Sequence, residues 1–254
     1  MPGLVGLSGR NVLVTGAASG IARAIALRLG DEGCVVGVLD RDAAGAKESV
    51  ERIVRGGGRA YPYAVDIVDG DAVESAAAAF EREAGAIGGL VNGAGWDLAA
   101  SFLDTTPDDW RRVIDVNLYG PLHVTHAVLR RMAAAGAGRI VSIASDAGRV
   151  GSSGEAVYAA CKGGIVSFSK SIAREHARAG ITVNVVAPGP TDTPLFARVD
   201  PSGKLQAALE RAIPMRRLAQ PGDYPGLVAF LLSDEAAFIT GQTLSVSGGL
   251  TMHG

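Results

Sequence analysis

A doubly wound parallel sheet with helices on both faces is the fold class this sequence predicts, and three observations carry the prediction. Short β-branched runs alternate with helical stretches along the whole length. Several of those runs, such as Val35-Val36-Gly37-Val38-Leu39, are continuously apolar, as strands covered on both faces require. The first run opens directly into a glycine turn, Thr15-Gly16-Ala17-Ala18-Ser19-Gly20, and then into a helical pattern.

Taken in order, strands are expected at Asn11–Thr15, Cys34–Leu39, Arg59–Val65, Gly89–Asn92, Arg139–Ala144, Thr182–Ala187 and Thr243–Val246. Helices are expected at Ile21–Glu32, Ala43–Arg55, Asp71–Ala84, Pro107–Ala135, Ala156–Ala179 and Asp223–Ser233. No linker or repeat interrupts the rhythm, so residues 1–254 read as one domain of the Rossmann type with about seven strands. The proline-rich stretch of about 189–217 follows a strand end and reads as a lid over a substrate site, because ligands of open α/β sheets bind beyond the carboxyl ends of strands.

The 254 residues are 48% hydrophobic and 20% charged, which describes a globular chain. A net charge of −2, with no basic stripe among aromatics, argues against a nucleic-acid partner. No run approaches 18 apolar residues and the N-terminus lacks a basic signal region, so a cytoplasmic location without a membrane partner is the expectation. Two cysteines, Cys34 and Cys161, make no disulfide framework. His123-x-x-His126 has no third ligand at a sensible spacing, and no metal is expected.

Chemistry enters at Tyr158 and Lys162. Four residues apart on a helix, they share a face. An ammonium beside a phenol favours the phenolate, which suits proton exchange with an alcohol or ketone. The glycine turn at Gly16 and Gly20 lets backbone approach a pyrophosphate at a helix N-terminus. Asp40 closes the second strand 24 residues after Gly16, placed to accept hydrogen bonds from ribose hydroxyls and to repel a 2′-phosphate. NAD is therefore the expected cofactor, although the neighbouring Arg41 is a guanidinium of the kind that accommodates a 2′-phosphate.

Thr15-Gly16-x3-Gly20, Asp66, Asn92-Gly93-Ala94-Gly95, Asn117, Ser145, Tyr158-x3-Lys162 and Pro188-Gly189-x3-Thr193 together resemble the short-chain dehydrogenase/reductase pattern in order and spacing. Two positions depart from it: Ala22 replaces a glycine and Gly93 an asparagine. The resemblance implies NAD-dependent interconversion of a secondary alcohol and a ketone. It makes Ser145 the group that orients the substrate oxygen and Tyr158 the acid/base. Lys162 would lower the phenol pKa and hold a ribose, and Asn117 would steady a relay water. Asp66 and Ile67 would meet the adenine and Thr193 the carboxamide. Ser19, Ile21, Asn92, Ala94, Gly95, Pro188, Gly189 and Thr191 would line the remaining cofactor path. It also implies a homotetramer.

Three segments, Gly95-Trp96-Asp97, Ser145 to Glu155 with Arg149, and Pro188 to Leu195, look like those of 2-hydroxycyclohexanecarboxyl-CoA dehydrogenases. Trp96 and Arg149 then become substrate contacts. Between Pro194 and Arg217, Arg198, Lys204, Arg211, Arg216 and Arg217 outnumber Asp200 and Glu210, which would suit the phosphates of a CoA thioester. The alternatives are a 3-oxoacyl thioester reductase, which Asp40 disfavours because such reductases usually draw on NADPH, and a dehydrogenase of free cyclic alcohols, diols or hydroxysteroids. A dinucleotide-binding sensor is the non-enzymatic reading, and retention of both Tyr158 and Lys162 speaks against it.

Overall fold

Seven parallel strands form one sheet in the order β3-β2-β1-β4-β5-β6-β7. They are β1 (Asn11–Thr15), β2 (Val35–Asp40), β3 (Arg59–Ala64), β4 (Ile87–Asn92), β5 (Gly138–Ile143), β6 (Ile181–Pro188) and β7 (Thr243–Val246). This computed structural model describes residues 3–199 and 204–252. The helices are α1 (Gly20–Asp31), α2 (Ala43–Arg55), α3 (Gly70–Ala84), α4 (Pro107–Ile114), α5 (Gly120–Ala135), α6 (Ala147–Val150), α7 (Ala156–His176), α8 (Pro194–Val199), α9 (Lys204–Ala212) and α10 (Pro225–Leu232). Among the described residues, no helix is long and apolar enough to cross a membrane.

Strand residues alternate between two cores, as the two-residue period of a strand demands. Val12, Val14, Val36, Val38 and Val141 enter one core, together with Ile25 and Leu29 of α1 and Val228 of α10. Leu13, Leu39, Leu90, Ile140 and Val183 enter the other, with Phe80 of α3 and Val124, Val128 and Met132 of α5. The sheet is covered on both faces, which explains why its strands read as unbroken apolar runs.

The expected stretch Pro107–Ala135 is not one α-helix. It is α4, a five-residue π-helical turn at Asp115–Tyr119, and then α5. Such turns shift the register by one residue, and they are frequent at functional sites. Asn117 lies inside this one and is fully buried. The stretch of about 189–217, expected as a lid, carries α8 and α9.

Candidate active site

Strand order reverses between β1 and β4, and a cleft of about 740 Å³ opens there beyond the strand ends. Gly16, Ser19, Gly20, Ile21, Asp40 and Arg41 line one part of it. Gly16 has φ +72°, and a Cβ on it would stand 2.6 Å from the Ala94 Cα, so only glycine lets the two loops approach. Its N–H donates to the Leu39 carbonyl at 2.8 Å, tying the turn to the end of β2. The buried Thr15 hydroxyl accepts from the Gly93 and Ala94 N–H groups at 3.1 and 3.2 Å, fixing the second loop against the first. Asp40 accepts from Ala18 N–H through Oδ2 at 3.0 Å and from Asp42 N–H through Oδ1 at 2.9 Å, so its carboxylate is held from both sides. Ser19 precedes α1 in extended conformation without a side-chain cap bond. These features fit a dinucleotide: a tight glycine approach, a helix N-terminus of twelve residues and an anchored carboxylate. Asp66 and Ile67 after β3, and Ala94, Gly95, Pro188, Gly189 and Thr193, line the same cleft.

Ser145, just past β5, and Tyr158 and Lys162 on α7 converge on that cleft. The Ser145 hydroxyl accepts from Ala147 N–H at 3.1 Å, which fixes it at the cleft beside Tyr158. Lys162 is buried, with Nζ donating to the Ile143 carbonyl at 3.0 Å and lying 5.5 Å from the centre of the Tyr158 ring. Burial pushes the ammonium down to about 8, while Cys161 and Asp97 act in the opposite direction. The phenol differs from the sequence expectation. Burial first, then the charges of Glu155 and Asp97, push Tyr158 above its ordinary value, and Ser145 only partly opposes this. Tyr158 is thereby held as the neutral acid.

Four expectations meet contacts that the spacing did not suggest. Asn92 does not line the cleft: it is buried behind it, donating to Thr125 Oγ1 at 3.0 Å and Ser142 Oγ at 3.3 Å. Asn117, expected to steady a water, gives both N–H bonds to backbone, to Trp96 O at 2.6 Å and Val113 O at 2.9 Å. Its Oδ1 accepts from Trp96 N–H at 3.3 Å, so the side chain clamps the Trp96 loop. Arg149 turns to β7, donating to Ser245 Oγ at 2.8 Å and Thr243 O at 3.4 Å, away from the substrate side. Two of the five basic residues expected to meet phosphates already have partners. Arg217 pairs with Asp223 at 2.6 Å, and Arg216 donates to the Arg211 carbonyl. Asp200 lies outside the described residues, as do the side chains of Arg198 and Lys204. Thr191 borders the cleft, but its hydroxyl is bonded to Gly189 O and Tyr224 OH. Trp96 does line the cleft, its ring carrying the Arg112 guanidinium 4.1 Å from the centroid.

Two cleft residues, Asp97 and Glu155, were not singled out as chemical. The signal available was that Glu155 precedes Tyr158 by three residues, one helical turn. Among the described residues, no cluster of three or more His, Cys, Asp or Glu is placed to hold a metal, and His123 Nδ1 meets the Ile67 carbonyl at 3.3 Å.

A family model described as enoyl-(acyl carrier protein) reductase matches residues 16–251. The chain belongs to the short-chain dehydrogenase/reductase family. It is 38% identical to the 3-oxoacyl-(acyl-carrier-protein) reductase of Vibrio harveyi over 97% of this chain and 99% of that one. The enzyme of the same name from Brucella melitensis superimposes with a TM-score of 0.89 at 37% identity, covering 97% of this chain and 92% of the other. NAD+-bound xylitol dehydrogenase does so with a TM-score of 0.91 at 33% identity, covering 96% of this chain and 100% of the other. Membership brings NAD(P)-dependent oxidoreductase activity on a small molecule.

Proposed function

We propose that this chain interconverts a 3-oxoacyl thioester, open-chain or cyclic, and its hydroxy form, using NAD(H) rather than NADP(H), as a homotetramer. One observation carries the reading. The Ser145–Tyr158 hydroxyl pair lies in the same cleft as an apolar wall built by Leu195, Phe196, Leu205, Leu209 and Leu250. A keto oxygen held at the hydroxyls would place an acyl chain or ring against that wall. The 3-oxoacyl reductases at 35–38% identity support a thioester substrate. Asp40, anchored by two N–H groups, supports NAD, because its charge opposes a 2′-phosphate.

A bound nicotinamide supplies the hydride in such chemistry. Ser145 holds the substrate oxygen. Tyr158, neutral at the start, gives its proton to that oxygen as the carbonyl carbon receives the hydride. Solvent then returns a proton to the phenolate. In the oxidation direction the same phenolate takes the proton back. Lys162, under the Tyr158 ring and tied to Ile143, would hold the ribose and favour the anion when it forms.

The test is a kinetic panel run with each cofactor: acetoacetyl-CoA, 2-oxocyclohexanecarboxyl-CoA, the corresponding free acids, and xylitol and cyclic diols. The reading requires the thioesters to exceed every free compound in kcat/KM. A polyol or diol at the head of the panel would replace it, and absence of turnover with all would favour the sensor.

A further inference from the structure

Ser145 is held by the turn that follows it. Its hydroxyl accepts from Ala147 N–H at 3.1 Å and its carbonyl from Gly148 N–H at 3.0 Å, so the start of α6 closes around it. The same four-residue helix rests on α7. A Cβ on Gly148 would stand 2.6 Å from the Lys162 carbonyl carbon and 2.7 Å from Gly163 N, so α6 touches the main chain at Lys162. The seat of α6 therefore sets the Ser145 hydroxyl relative to Tyr158 and Lys162.

A polar chain that the reaction above leaves unused ties α6 to the rest of the sheet. Asp146, between Ser145 and α6, is 5% exposed, and its N–H donates to the Pro188 carbonyl at 2.9 Å. Its Oδ1 accepts from the Ser245 hydroxyl of β7, the edge strand. Arg149, inside α6, donates Nη1 to the same hydroxyl at 2.8 Å and to the Thr243 carbonyl at 3.4 Å. With a guanidinium donating to its oxygen, the Ser245 hydroxyl turns its one proton to Asp146, and the chain has a fixed direction. Asp146 Oδ2 is buried and meets no donor among the described residues. A half-satisfied buried carboxylate costs stability, and an apolar side chain of similar volume would avoid that cost. Stability alone gives no reason for a carboxylate here.

We infer that Arg149, Ser245 and Asp146 are positioning residues for the reaction: their hydrogen-bond chain seats α6 between β7 and α7 and so aims the Ser145 hydroxyl at the substrate oxygen. The inference rests on Ser145 being the group that orients that oxygen.

Ser245→Ala removes the shared hydroxyl and leaves every charge in place. With the panel compound that turns over fastest, kcat should fall about tenfold, as a slightly misplaced reacting group implies, while NAD affinity by fluorescence titration stays within about twofold. Ser245→Thr keeps a hydroxyl and should keep kcat. Because the effect passes through Ser145, adding Ser245→Ala to Ser145→Ala should lower kcat by less than about twofold further. A Ser245→Ala enzyme with wild-type kcat overturns the inference. A parallel loss of kcat and NAD affinity, or an undiminished effect in the Ser145→Ala background, also overturns it and leaves the chain a clip on β7. Ser145→Ala alone separates the two readings. Near-normal turnover there removes Ser145 as the orienting group, and the inference falls with it. A large loss there, with no effect of Ser245→Ala, removes the inference alone.

Discussion

The two sides of the cleft are built from different materials. On the nucleotide side each key group is fixed by main chain: Asp40 by the N–H groups of Ala18 and Asp42, Thr15 by those of Gly93 and Ala94, and Gly16 by contact with Ala94. On the substrate side the wall is apolar side chains, most of them on the short helices α8 and α9, and the Arg217 guanidinium is paired with Asp223. Backbone-held groups demand particular residues at particular spacings. A wall of leucines accepts many sequences, so shape there is free to vary with the substrate.

The largest effects belong to the converging centre, where both sides meet. Tyr158→Phe preserves the ring and removes the transferable proton, so turnover should fall on the order of 10²–10⁴-fold with little change in NAD affinity. Lys162→Ala should lower rate and NAD affinity together, since one group serves both sides. Stopped-flow turnover with a parallel NAD titration distinguishes them, and near-normal turnover of the Phe variant would remove the mechanism. On the nucleotide side alone, kcat/KM with NAD should exceed that with NADP at least ~100-fold, about 2.7 kcal/mol. Asp40→Ala should narrow the gap by relieving repulsion. Equal values for both cofactors in the wild type would mean that backbone anchoring of Asp40 serves only the loop.

The same contrast explains what was legible in the sequence. Strands bounded by glycine and proline fall within two residues of expectation; β1 and β7 match at both ends. Ser145, Tyr158 and Lys162 converge because a strand end and one helix suffice to place them. The contacts of Asn92, Asn117 and Arg149 were not legible, for another reason. Each finds its partner in a distant segment: Thr125 and Ser142, the Trp96 backbone, and Ser245. Spacing along the chain holds no record of such partners. The π-helical turn escaped because Pro107–Ala135 has a continuous helical pattern, and one inserted residue leaves it almost intact.

A smaller effect tests whether the two departures from the family pattern form one device. A Cβ on Gly93 would stand 2.8 Å from the Ala22 Cβ and 2.8 Å from the Thr15 carbonyl oxygen. Ala22 therefore fills space that a side chain at 93 would need. Gly93→Ala should cost about 1–3 kcal/mol of stability through overpacking. Ala22→Gly in the same chain should return part of it, because the Thr15 contact remains. Urea denaturation of both single variants and the double should give a coupling energy of about 0.5–3 kcal/mol. Costs that simply add would show that the two substitutions are independent.

The smallest effect is expected at the lid, and there a small number is the informative result. Arg217 donates to both carboxylate oxygens of Asp223, at 2.6 and 2.9 Å, and to the Leu218 carbonyl at 3.0 Å. Its side chain is 53% exposed. A guanidinium so engaged and so wet contributes little to a phosphate elsewhere, and salt screens what remains. Arg217→Ala should change KM for a CoA thioester by less than about twofold, with no added dependence on ionic strength. A direct phosphate contact behaves differently: a lost charge-assisted bond raises KM roughly tenfold or more at low salt and less at high salt. That second pattern would mean Arg217 leaves Asp223 when the thioester binds. The stretch 189–217 would then read its ligand by charge, and the contrast between a backbone-anchored nucleotide side and an apolar substrate wall would fall.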